Sequence, residues 1–192
     1  MAVKNQKRND ILASARTLFK EKGFHNTKME EIALNAGVGK GTLYGYFSNK
    51  QEIFDETCIE RVSMILEVIE EISNKDISFR EKLFKMLSLK ENELDYEDVS
   101  IESIMSNKNI VSEKVVKAMM SYVFDVYTII IKMVDQGKNE GVVKKGVSSD
   151  IIATLIVGAM GEYIRIKSFK RENSIKEEEH IIDLLFNGFG VK

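Results

Sequence analysis

The chain has 192 residues, of which 30% are charged and 44% hydrophobic, and its formal net charge is −2. That length holds one sizeable core or two small ones, and the near-neutral total excludes a uniformly basic nucleic-acid coat. A single cysteine excludes an intramolecular disulfide and fits a reducing compartment, and no apolar run approaches the length of a membrane span.

The charge is unevenly spread. Residues 1–50 carry nine Lys and Arg against four Asp and Glu, whereas residues 51–192 carry nineteen against twenty-six. A basic head on an acidic body fits contact with a polyanion at one end only. Met1 to Asn9 is polar and the apolar segment after it is amphipathic, so no signal peptide is expected and the protein is expected in the cytoplasm. With no proline anywhere, the chain is free to be helical nearly throughout, and Gly, Asn and Ser supply the punctuation.

The expected fold is all-α. Helices are predicted at about 6–22, 28–35, 40–46, 49–73, 78–90, 96–107, 111–139, 149–170 and 176–188, with the acidic stretch 90–98 as a loop or frayed end. The first three form a head over 1–48, with the start of the connecting helix to about 65, and 49–192 form a helical body. Gly137, Gly141 and Gly146 mark a turn-rich connection, and Ser174 with Glu177 reads as a capping box that opens the last helix.

The segment 27–50, TKMEEIALNAGVGKGTLYGYFSNK, carries the most chemistry. Thr27 with Glu30 has the form of a capping box, and Ser48 with Gln51 has it again. Ala36-Gly37-Val38 reads as a turn in which Gly37 takes a left-handed conformation. Leu43 and Phe47, four apart, are expected to face the core. Lys28, Lys40 and Lys50 occupy first-turn positions, which the helix dipole disfavours by about 0.3–1 kcal/mol each. One such lysine means little in a lysine-rich chain. Three beside free backbone N–H groups make an array suited to anions, and the obvious polyanion has phosphates about 3.4 Å apart on each strand.

These residues resemble the TetR family of transcriptional regulators. The pattern runs through Ile11, Ala15, Leu18, Phe19, Gly23, Thr27, Ile32, Ala33, Ala36-Gly37-Val38, Lys40-Gly41-Thr42-Leu43-Tyr44, Tyr46-Phe47, Lys50 and Ile53, and GVGKGTLYGYFSNK is its most specific run. Beyond residue 70 the resemblance is one of size and helical layout. It implies a helix-turn-helix DNA-binding domain on a ligand-binding and dimerisation domain. Its partners would be double-stranded operator DNA, a second copy of the chain and a small hydrophobic effector that releases a repressor from a palindrome. It implies no cofactor and no enzyme activity. Lys40, Gly41, Thr42 and Tyr44 would lie at the major groove, and Thr27, Lys28, Tyr46 and Lys50 would hold phosphates. Gly39 stands where the family often has Ser. Gly45 stands where a large His, Tyr or Asn is common, which removes one DNA contact. The competing readings are a non-specific nucleoid-type DNA binder, a regulator without an effector, and a helical enzyme or effector module with a vestigial head.

The body supports three further expectations. Residues 151–169 are apolar nearly all round, and the last helix has a broad apolar stripe. The pair is therefore either buried deep in one domain or half of a dimeric four-helix bundle, as the resemblance implies, through Ile152, Leu155, Ile156, Ala159, Ile181, Leu185 and Phe189. Phe84, Met86, Met105, Met120, Phe124, Tyr127, Met160 and Tyr163 suit an adaptable pocket, although such stripes also make ordinary core. Glu162 lies among apolar neighbours and could pair with Arg165, touch a dimer partner or face a ligand. Cys58 falls on an apolar face and reads as a small buried hydrophobe in preference to a redox switch. Catalysis has little support: His25 and His180 sit in polar surroundings, and residues 37–42 lack the spacing of a phosphate-binding loop. The long helix from Ser48 would couple pocket to head.

Overall fold

A computed structural model of the chain describes residues 2–89, 110–170 and 175–189. The predicted helix 96–107, the acidic stretch 90–98, Met105 and Ser174 lie outside the described residues, as do the side chains of Arg165 and Phe189. The fold is all-α, and eight helices occur among the described residues: α1 (Ala2–Asn26), α2 (Met29–Asn35), α3 (Lys40–Tyr46), α4 (Lys50–Ser73), α5 (Phe79–Leu87), α6 (Glu113–Asn139), α7 (Ser149–Lys170) and α8 (Ile175–Phe189). None of them is long and apolar enough to cross a membrane. The described residues also hold no cluster of three His, Cys, Asp or Glu that could bind a metal.

The chain packs as two units. The first takes in the chain up to Met64 together with residues 110–120, and the second takes in 65–89 and 121–189. In the first, Ile11, Leu12 and Ala15 of α1 meet Ile32 of α2, Leu43 of α3, Phe47, and Ile53 and Cys58 of α4, all of them buried. Phe19, Phe24 and Phe54 tilt against one another with ring centroids 5.0–5.7 Å apart. Ile110 and Val115 complete this core, a contribution that nothing in the sequence of 111–139 announced. They are fastened by polar contacts: the Gln51 side chain donates to the Ile110 carbonyl at 2.8 Å, and Lys114 pairs with Glu56 at 2.8 Å. Arg8 pairs with Glu56 and Glu60, and Arg16 with Glu60, tying α1 to α4.

The second unit centres on Phe79, Leu83 and Leu87 of α5, Ile130, Met133 and Val134 of α6, Ile152, Ala153 and Ile156 of α7, and Ile182 of α8. α5 opens with a capping box: the Ser78 hydroxyl accepts from the Glu81 N–H at 3.3 Å, and the Glu81 carboxylate accepts from the Ser78 N–H at 3.0 Å. Two glycines of the expected turn-rich stretch, Gly137 and Gly141, play different parts. Gly137 is still inside α6, where a Cβ would stand 2.7 Å from both the Phe79 ring and a Val143 methyl. Gly141 ends α6 with φ +77°; its N–H bonds Lys138 O at 3.3 Å, and the Val142 N–H bonds Gly137 O at 3.0 Å. That pair of bonds is the Schellman closure, which needs a left-handed residue.

The all-round apolar sequence of α7 resolves into two faces. Ile152 and Ile156 are fully buried in the core, whereas Ile151 and Leu155 are 57% and 55% exposed. Ile151, Leu155, Gly158, Glu162 and Ile166 recur at helical spacing along the outer side. The expectation that Ile152 and Ile156 face a partner is therefore corrected, since their side chains already fill their own core. Ile181 and Leu185 of α8 also pack against that core, half-buried, while Leu184 is 71% exposed.

Candidate nucleic-acid interface

The head builds its outer face from two short helices. α2 ends at Ala36, and Gly37 takes φ +64°. Its N–H bonds Leu34 O at 3.1 Å, and the Val38 N–H bonds Ala33 O at 2.9 Å. This second Schellman closure turns the chain sharply, so that Gly39 in extended conformation becomes the N-cap of α3. Leu43 and Phe47 then enter the core, and the opposite side of α3 is left outward.

On that outward side Lys40, Gly41 and Tyr44 are exposed and Thr42 is half-buried. A Cβ built on Gly41 or Gly45 would meet nothing within 4 Å, so the backbone of α3 is open to close approach. The Lys40 ammonium lies 2.7 Å from the Glu30 carboxylate and 5.9 Å from the centroid of the Tyr44 ring. Each partner favours the other's charged form: Glu30 holds the Lys40 ammonium above its ordinary value, and Lys40 holds the Glu30 carboxyl below its own. Lys28 is exposed and sits at the N-cap of α2.

Two expected phosphate contacts, Thr27 and Lys50, turn inward. Thr27 is buried, and its hydroxyl donates to Leu18 O at 3.1 Å and Gly23 O at 2.9 Å. Gly23, at φ +75°, breaks α1 and presents that carbonyl. Thr27 is therefore neither an N-cap nor a phosphate hydroxyl. The cap is Lys28, whose N–H bonds the Glu31 carboxylate at 3.1 Å. Lys50 is half-buried and donates to the carbonyls of Phe24, His25 and Thr27. Its ammonium also stands 4.5 Å from the Phe24 ring centroid, and burial pulls its pKa down. Lys50 thus clamps the end of α1, and a phosphate would have to displace three carbonyls to reach it. Tyr46 is half-buried against the head core. The expected cap of α4 is moved by one residue: Asn49 accepts from the Glu52 N–H, while the Glu52 carboxylate accepts from the Ser48 N–H.

The expected pocket residues that the structure describes differ in exposure. Met86 and Met160 are core, Tyr163 packs on its edge, and Phe84 is half-buried. Tyr127 is also half-buried, its hydroxyl donating to Asp150 O at 2.7 Å. Met120 and Phe124 are 68% and 70% exposed. Glu162 is exposed on the outer side of α7. Burial pushes the Cys58 thiol up to about 12, helped by the Asp55 charge, so it stays protonated and unreactive at neutral pH.

The sequence pattern of the family described as "Bacterial regulatory proteins, tetR family" matches residues 11–57. The chain is 23% identical over 194 residues to the fatty acid metabolism regulator protein of Bacillus subtilis (strain 168), covering 98% of each protein. Its fold is similar to that of the transcriptional regulator FadR from Bacillus subtilis in complex with stearoyl-CoA, with a TM-score of 0.69 and 21% identity, covering 94% of this chain and 98% of that one. A TetR-family transcriptional regulator from Cytophaga hutchinsonii gives a TM-score of 0.79 at 14% identity, covering 100% and 98%.

Proposed function

We propose that the chain, as a DNA-binding transcriptional regulator of the tetR family, is a homodimeric repressor released from a palindromic operator by a hydrophobic effector. The observation that carries the DNA step is the two-sided character of α3. Leu43 and Phe47 fix it to the core, while Lys40, Gly41, Thr42 and Tyr44 lie along its outer side. In this reading Lys28 and Lys40 take phosphates and set the register, and α3 reads base edges in the major groove.

A seven-residue helix supplies few contacts, and a two-fold pair reads two half-sites about 34 Å apart, one helical turn of DNA. The outer stripe of α7 with Leu184 of α8 supports the pairing. Taking Leu184 from 71% exposure to full burial contributes about 1–2 kcal/mol. Leu155→Asp with Leu184→Asp should therefore give a monomer by sedimentation that folds normally and loses operator binding. A double variant that still sediments as a dimer removes this seam.

Support for the effector comes from full-length likeness to a fatty acid metabolism regulator and from the stearoyl-CoA complex of a protein of similar fold. Long-chain acyl thioesters are accordingly the first class to test. In the second unit, Val123 and Phe124 of α6 leave apolar surface that such a chain could cover. To shift operator occupancy from 99:1 to 1:99, the effector must prefer the released state by about 5.5 kcal/mol. The experiment selects duplexes from a random pool with the purified protein, then titrates them with stearoyl-CoA and with free CoA. Release by the acylated form alone is expected. Occupancy unchanged by every hydrophobic compound removes the effector, and equal affinity for all duplexes favours the nucleoid-type alternative.

A further inference from the structure

Lys40 is the one cation of α3, yet it is already engaged. Its ammonium is 2.7 Å from the Glu30 carboxylate, and the two side chains are 62% and 56% exposed. An ion pair so exposed contributes little to folding, because water screens it and two long side chains must be held. Capping does not account for Glu30 either, since the neighbouring Glu31 carboxylate takes the Lys28 N–H. Glu31 also accepts from Lys22 at 2.9 Å, so each of the two carboxylates in the first turn of α2 holds one lysine.

We propose that Glu30 is a specificity-determining residue, a carboxylate that neutralises Lys40 on arbitrary DNA and yields it only where the operator fixes α3 in register. The inference rests on the DNA-binding reading above. At physiological salt the screening length is about 8 Å, so from beyond that distance a pair 2.7 Å apart looks neutral to an approaching phosphate. A duplex held only by phosphate contacts thus loses the one cation of α3. It also brings its own phosphates towards the Glu30 charge. At the operator, base contacts hold the head in place and Lys40 can exchange Glu30 for a phosphate. Affinity for random sequence is lowered more than affinity for the operator, and the ratio of the two is what selects a site in a genome.

Glu30→Gln keeps the shape of the side chain and removes the charge. For a random-sequence duplex, each head should gain about one counterion in the log K versus log[salt] slope, which is about eightfold in affinity at 0.1 M salt. The duplex selected by the protein should gain less than threefold, so the specificity ratio falls. In a Lys40→Gln background, Glu30→Gln should change the slope by less than half as much. An unchanged slope in Glu30→Gln overturns the proposal, as does an equal gain on both duplexes or an equal gain without Lys40. Wild-type protein that showed no salt-dependent binding to either duplex would defeat the DNA-binding reading itself, a result distinct from these.

Discussion

Replacing Lys50 by Met separates a structural clamp from a phosphate ligand. Methionine keeps a stem of similar length over the Phe24 ring and deletes all three donors. Of the three carbonyls left behind, that of His25 is exposed and takes water, whereas those of Phe24 and Thr27 are partly buried. Imperfect rehydration costs about 1 kcal/mol at each of those two. Loss of a cation at the end of α1 adds about 0.3–1 kcal/mol, and loss of its contact with the Phe24 ring, 4.5 Å away, adds about 0.5–1 kcal/mol. Freeing an ordered lysine returns about 1 kcal/mol or more of side-chain entropy. The net destabilisation is about 2 kcal/mol, or a fall in Tm of about 4–8 °C if the whole chain unfolds as one. Urea unfolding measures the first quantity. Titration of duplex DNA against salt, at a temperature where the variant is folded, measures the second role. Lys50→Met should keep the wild-type salt slope. Full stability with a slope shallower by about one unit would refute the clamp and restore Lys50 to the phosphate set.

Three further outcomes follow from the packing. Gly45→Ala meets open space and replaces a mid-helix glycine, so the head should gain up to about 1 kcal/mol in urea unfolding, and a loss of operator binding despite that gain would show that DNA approaches the backbone there. Gly137→Ala should destabilise the protein by about 1–3 kcal/mol, because its methyl would stand 2.7 Å from Phe79 and Val143, and a neutral result would mean that the Phe79 ring turns aside freely. Glu56 has its pKa lowered chiefly by Lys114, then by Arg8, so its contribution is complete above the ordinary glutamate value of 4.5 and is lost as pH falls through the depressed one. Glu56→Gln should lower stability at pH 7 and flatten the fall below pH 4.5, and an unchanged acid limb would exclude this cluster as a source of acid sensitivity.

What the sequence disclosed and what it hid follow a physical division. The turn at Gly37 was legible because a left-handed residue leaves few choices, and Leu43 with Phe47 was legible because four-residue spacing fixes a face. The starts of α2 and α4 were legible and their caps were not, since Lys28 has no side-chain acceptor and offers the Glu31 carboxylate only its backbone N–H. The placement of Lys50 was not legible, because composition reports that a charge exists and not where a flexible four-carbon stem carries it. α7 misled for another reason. When apolar residues occupy every side, periodicity has no phase, and nothing local tells Ile152 from Ile151. The burial of Val115 and Ile110 in the head was invisible, because it depends on two stretches about sixty residues apart meeting.

That last meeting bears on how such heads can be exchanged. The segment recognisable between relatives is 11–57, and a designer grafting it onto another body would transplant a continuous stretch of chain. The folding unit is discontinuous. Ile110 and Val115 lie against the head core, Gln51 holds the Ile110 carbonyl, and Lys114 holds Glu56. A graft that stops at the recognisable boundary would expose that side of the core and strand Gln51 and Glu56 without their acceptor and counter-charge. Inheritance and recombination of this head would thus be constrained to carry two distant pieces together, and chimeras should be cut by packing and not by similarity.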